Sequence, residues 1–197
     1  KIVAVEDAEA IVDLKINRET VQRLVDRGIK AWAGVDDVAA AWLRVVRTND
    51  IVGIKVHSAP GRLGGTRPQV VEGVIKGLLA AGLPARNIIV WDKRLSDLGA
   101  AGYFQLVEEY GIRLEGATAA GWDEETYYDN PLLGKLVWGD LEFGRGDPDA
   151  GRRSHVTKLL TETITRLIVI SPMLNHNEAR VAGSLAAVRM RDHGGEG

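Results

Sequence analysis

Between Asp50 and Lys93 the chain passes from a short β-branched run to a longer helical pattern and back again. Ile51, Val52, Ile54 and Val56 form an apolar run bounded by Asp50 and His57, the mark of a buried strand. Ser58 to Thr66 follows as a loop containing Gly61, Gly64 and Gly65. Pro68 then opens a helix that reaches Ala81, because a missing N–H costs nothing in a first turn, and Gly82 closes it. Asn87-Ile88-Ile89-Val90-Trp91 reads as the next strand and ends in Asp92-Lys93. Strand, loop, helix and strand over this span predict a crossover between parallel strands.

The flanking pattern extends this unit. Ile2–Val5 reads as a short strand. Asn17 caps a helix over Arg18–Arg27 that ends at Gly28, and a second helix fits Asp36–Arg47. Leu98, Ala101, Phe104 and Val107 align along a helix over Asp97–Tyr110, which leads to a strand at Ile112–Glu115. Repeated β-α-β-α-β order predicts an α/β fold with an open, mainly parallel sheet of the doubly wound, Rossmann-like kind. Later the alternation breaks. Lys135–Trp138 and Leu141–Phe143 flank Gly139-Asp140 as a hairpin, so residues 131–150 read as an insertion with an acidic tip. A helix from Ser154 carries Val156, Leu159, Leu160 and Ile164, and Leu167–Ile170 is a final buried strand. Residues 1–189 are expected to form one α/β domain, with 190–197 a polar tail that is disordered or cut short.

Composition narrows the functions without choosing one. A chain of 197 residues suits one domain, and a formal charge of −2 offers no excess basicity for nucleic acid. No apolar run is long enough for a membrane span. With no cysteine, the chain cannot hold a Cys-ligated iron–sulfur cluster, a zinc thiolate site or a cysteine nucleophile. The scattered Trp32, Trp42, Trp91, Trp122 and Trp138 read as core or hairpin packing.

Chemistry is expected at the carboxyl ends of the strands, where open parallel sheets bind ligands. Lys55 and His57, Asp92, and Asn175-His176-Asn177 all fall at such ends. Histidine near neutral pH is both a base and a ligand, so His57 and His176 are candidate proton carriers with Asp92 orienting one of them. The same three are the candidate ligands of a divalent metal, although no metal-helix spacing joins them. Gly64, Gly65, Thr66 and Arg67 lie where a strand meets a helix N-terminus, a place suited to a small anion, with Lys55, Asn175 and Asn177 as further contacts. No Walker or dinucleotide fingerprint is present, and a tight turn explains the glycines as readily. His155, after a helix cap, and His193 read as surface residues. The expected partner is a small anionic metabolite or cofactor; the alternative is a non-catalytic module that docks another protein, or a homo-oligomer.

Several motifs together resemble one family. Ile51–His57, Gly64-Gly65-Thr66-Arg67-Pro68, Ala81-Gly82-Leu83-Pro84 and Ile88–Lys93 are similar to domain-of-unknown-function family 362. So are Tyr128–Gly134, Val137–Gly144 and Ser171–Asn177, and the likeness runs roughly from Ile2 to Leu185. The resemblance implies a bacterial α/β domain of no established reaction, in the cytoplasm or exported to the periplasm. It also implies relatives that join ferredoxin-like modules, whose clusters this chain has no cysteine to bind. Relatives often carry lysine two residues before the late histidine, where this chain has Leu174, and they continue past Gly183 into further strands.

Overall fold

The computed structural model describes residues 1–129, 153–176 and 180–182. In chain order the elements are β1 (Ile11–Val12), β2 (Lys15–Ile16), α1 (Arg18–Ala33), α2 (Val38–Trp42), β3 (Val52–Val56), α3 (Gly61–Gly64), α4 (Pro68–Ala80) and β4 (Ile88–Asp92). There follow α5 (Leu95–Ala101), α6 (Phe104–Tyr110), β5 (Arg113–Gly116), α7 (Ala117–Ala120), β6 (Trp122–Asp129), β7 (Arg153–Thr157), β8 (Arg166–Ile170), β9 (Leu174–His176) and β10 (Arg180–Ala182).

The expected α/β architecture is present. Four parallel strands form a sheet in the order β5-β4-β3-β8, with Ile54 beside Val90 on one side and Ile168 on the other. Both central strands are buried along their whole length, which is why they read as continuous apolar runs. Alternate residues feed two cores. Val52, Ile54, Val56, Ile88 and Val90 pack with Val71, Ile75 and Leu78 of α4, Leu98 of α5 and Leu106 of α6. Ile89 and Trp91 pack on the opposite face against Ala117 and Leu159.

Several local expectations change. Ile2–Val5 forms no strand; the first pairing is the β1–β2 hairpin, turned by Asp13 and Leu14, both at positive φ. Asn17 does cap α1, its side chain accepting from the Thr20 amide, but the helix runs through Gly28 to Gly34. A lone glycine costs only about 1 kcal/mol inside a helix, and the turn beyond it sets Ile29 against the core. The expected second helix shrinks to α2, because the chain bends after Trp42 and buries Val46.

The expected Asp97–Tyr110 helix is two helices broken at Gly102, whose φ of 93° is left-handed. That break buries Tyr103 completely and turns its hydroxyl onto the Thr66 carbonyl. Ser154 begins no helix: it lies within β7, which pairs antiparallel with β6, and a single π-turn over Leu159–Thr163 follows. His155 is therefore a half-buried strand residue, tilted against Tyr127 with its Nδ1 2.9 Å from the Asp123 carbonyl. The final strand is present but, among the described residues, lies at the sheet's edge, with Arg166 and Leu167 exposed instead of buried. Trp42 and Trp91 are core and Trp122 is half-buried, whereas Trp32 is exposed. The hairpin expected at 131–150 and Trp138 lie outside the described residues.

Candidate functional site

Strand order places the site. The chain moves outward from β3 to β4 to β5 and then returns to β3's other side as β8. The crevice outside the carboxyl ends of β3 and β8 is therefore the switch point, where the strand order reverses. A cavity of about 270 Å³ opens there, lined by Gly64, Gly65, Thr66 and Arg67 on one wall and Ile170, Ser171 and Pro172 on the other.

Thr66 ties the two strand ends together. Its Oγ1 accepts from the His57 amide at 3.0 Å and donates to the Ile170 carbonyl at 2.7 Å. Its own amide donates to the His57 carbonyl at 2.8 Å, and Gly65 N donates to Gly61 O at 3.1 Å. The amides of Gly65 and Thr66 are thus occupied within the loop. Gly65 is required there by close approach, since a Cβ would stand 2.6 Å from the His57 carbonyl oxygen. Charge for an anion must come from side chains, and Arg67, whose guanidinium donates to the Arg62 carbonyl, lines the cavity.

Lys55 and Asp92, each expected at a strand end, do meet. Lys55 Nζ donates to Asp92 Oδ1 at 2.6 Å and to the Val56 carbonyl at 2.7 Å, and it sits 5.4 Å from the centre of the Trp91 ring. Asp92 also accepts from Lys93 N at 2.8 Å, from Ser58 N at 2.7 Å and from Ser58 Oγ at 2.6 Å. Burial works to raise the Asp92 pKa; the Lys55 charge and the Lys55 and Ser58 hydrogen bonds outweigh it and hold the carboxyl below its usual range. Four donors fill the usual acceptor capacity of a carboxylate, so a metal at Asp92 would have to displace one of them. None of the four is a histidine. The neighbouring Tyr103 hydroxyl is pushed well above the ordinary phenol range, first by burial and then by the Asp92 charge.

Of the other candidates, His57 is not among the residues that line the crevice. His57 follows β3 directly and is half-buried; its backbone, not its ring, makes the contacts to Thr66. Asn175 and His176 lie on β9, after the Ser171–Met173 connection from β8, and Asn177 lies outside the described residues. Among the described residues no three of the potential ligands gather into a metal-binding group. Ser58, Thr66 as a side-chain bridge, and Ser171 escaped the reading of the sequence as site-builders. A serine two residues past the end of a buried strand is the available signal for Ser58.

A second cavity of about 330 Å³ lies on the helical side of the same loop, between the β1–β2 hairpin, the start of α4 and the α5–α6 junction. It too is lined by Arg67. In comparisons with models of known families, with curated proteins and with solved structures, the chain finds no match.

Proposed function

We propose that this is an enzyme-like α/β domain that takes a small anionic metabolite or cofactor at the carboxyl ends of β3 and β8. The reading is carried by one observation: the strand order reverses at β3 and β8, and an open cavity with Arg67 in its wall lies at that reversal. Arg67 supplies charge, Ser171 lines the opposite wall with its hydroxyl donating to the Pro172 carbonyl at 3.0 Å, and Thr66 fixes the width of the crevice. His57 and His176 are the proposed proton carriers. Lys55 and Asp92 form the rigid ion pair beneath the loop, so their part is to position Ser58 and the loop's entry and not to touch the ligand. Likeness of the Gly64–Pro68 and Ser171–Asn177 motifs to domain-of-unknown-function family 362 supports a bacterial α/β domain of this kind.

Titrating the isotope-labelled protein with citrate and with inorganic phosphate tests the reading. Saturable amide shifts at Gly64, Arg67 and Ser171 are expected, weakened in His57→Ala and His176→Ala variants that remain folded. No saturable shift at those three amides with either anion would overturn it.

A second reading, a module that docks another chain, is favoured by β8. Its outer edge is unpaired among the described residues, and Leu167 and Met173 beside it are exposed. Light scattering separates the two: a stable oligomer that hides the strand ends favours docking, and a monomer with an open crevice favours the ligand.

A further inference from the structure

The second cavity is the more strongly charged of the two. Four cations line it: Lys15 from β2, Arg18 from α1, Arg62 from α3 and Arg67 before α4. Two carboxylates share the wall, Glu72 and Glu109, and both are engaged by other donors. Glu72 lies 2.9 Å from Lys76 Nζ, 2.9 Å from the Tyr110 hydroxyl and 3.5 Å from Arg18. Glu109 accepts from Tyr110 at 2.7 Å and lies 4.0 Å from Arg18. Among the described residues, Lys15, Arg62 and Arg67 have no carboxylate at ion-pair distance. Four positive charges against two negative leave the lining with an excess of two.

The cavity is also shaped by backbone. Arg62 lies over Gly102, where an added Cβ would stand 3.3 Å from its Nε, so the guanidinium rests on the bare turn between α5 and α6. Gln69, in the first turn of α4, lines the same cavity, and its Oε1 is buried with no hydrogen-bond partner. With almost no surface open to the cavity, that oxygen is beyond a ligand's reach and takes no part in the site.

We infer that this cavity binds the phosphate dianion of a small phosphorylated metabolite, held by Lys15, Arg18, Arg62 and Arg67. An excess of two charges matches a dianion and not a monocarboxylate, and the planar arginine fork fits phosphate oxygens in pairs. A volume of about 330 Å³ holds a phosphate with a short carbon body. The site is separate from the switch-point crevice, with Arg67 between them, and does not depend on a ligand being bound there.

The test uses the full chain, labelled with nitrogen-15, titrated with inorganic phosphate at pH 7.5 and constant ionic strength, with acetate as the monoanion. Saturable shifts are expected at the Arg18 and Arg62 Nε–H signals and at the Gly102 and Gln105 amides. Affinity should fall at least fivefold in Arg62→Ala and in Lys15→Ala, and acetate should bind at least tenfold more weakly than phosphate. Both changes lie on exposed side chains, and a preserved amide spectrum identifies folded variants; if one fails to fold, the other and Arg62→Gln carry the test. The inference is overturned if phosphate moves only Gly64, Arg67 and Ser171, which would support the crevice alone. It is overturned equally if both variants bind phosphate as the parent does, if acetate competes on equal terms, or if no signal saturates.

Discussion

Replacing Lys55 by methionine isolates the ion pair beneath the loop. Methionine fills most of the lysine volume, so the change removes the charge with little loss of packing. Lys55 Nζ and Asp92 Oδ1 are 2.6 Å apart, and the two side chains are only 5% and 8% exposed. Breaking a buried pair from one side leaves the other charge uncompensated, at about 3–5 kcal/mol. Asp92 keeps its bonds from Ser58 N, Ser58 Oγ and Lys93 N, which places the loss near the lower bound. At about 2 kcal/mol per molar urea, a loss of about 3 kcal/mol lowers the unfolding midpoint by about 1.5 M.

The pH dependence separates this cause from lost packing. In the parent, burial raises the Asp92 pKa but the Lys55 charge overrides it, so the folded value lies below the unfolded one. That contribution is complete above the unfolded value of about 3.9 and is lost as pH falls through the lower folded value. In Lys55→Met the charge that opposes burial is gone, so the folded value rises from the parent's. The carboxylate then contributes less to stability at neutral pH than in the parent, and this difference fades as the group protonates. The stability gap between parent and variant should therefore narrow from pH 7 toward pH 4, and adding Asp92→Asn should restore part of the loss at pH 7. A variant within about 0.5 kcal/mol of the parent, the range of an ordinary surface change, would refute the reasoning. So would a gap that stays constant with pH.

Thr66→Val keeps the side chain's shape but removes the oxygen shared by the His57 amide and the Ile170 carbonyl; urea unfolding should show a loss of about 1–3 kcal/mol, with Thr66→Ser recovering most of it. Gly77→Ala would place a Cβ 2.0 Å from Nε1 of the buried Trp42, and overpacking of about 1–3 kcal/mol should outweigh the roughly 1 kcal/mol gain in helix propensity, giving a lower melting temperature and altered tryptophan fluorescence. Glu72→Gln takes one negative charge from the wall of the arginine-lined cavity, so calorimetry should show phosphate binding about fivefold tighter, the effect of roughly 1 kcal/mol from one charge. Unchanged or weaker binding in that variant would count against the assigned charge balance.

The parts of the fold legible in the sequence were those that local patterns determine. The β-branched runs at Ile51–Val56 and Ile88–Trp91, with Pro68 and Gly82 bounding the helix between them, were enough for β3, α4 and β4. Strand order is a tertiary property, so periodicity did not show that β8 returns beside β3 and makes the switch point there. Val156, Leu159, Leu160 and Ile164 fit a helical stripe by spacing alone, but pairing with β6 makes Arg153–Thr157 a strand. Lys55 and Asp92 were legible as strand-end residues, but their contact depends on the register that sets Lys55 beside Trp91. Lys15 and Arg18 carried no signal at all. Their place in the second cavity comes from a hairpin turned by two residues at positive φ, which no glycine marks.

The central claim is that an anion binds where the β3–α4 loop presents Arg67. Crystals soaked in sodium tungstate, a heavy analogue of phosphate, test it most directly through the anomalous signal of tungsten. The account predicts a peak within contact of the Arg67 guanidinium, in the arginine-lined cavity, the switch-point crevice or both. Its absence would contradict the account, as would peaks confined to other surface cations while Arg67 stays bare.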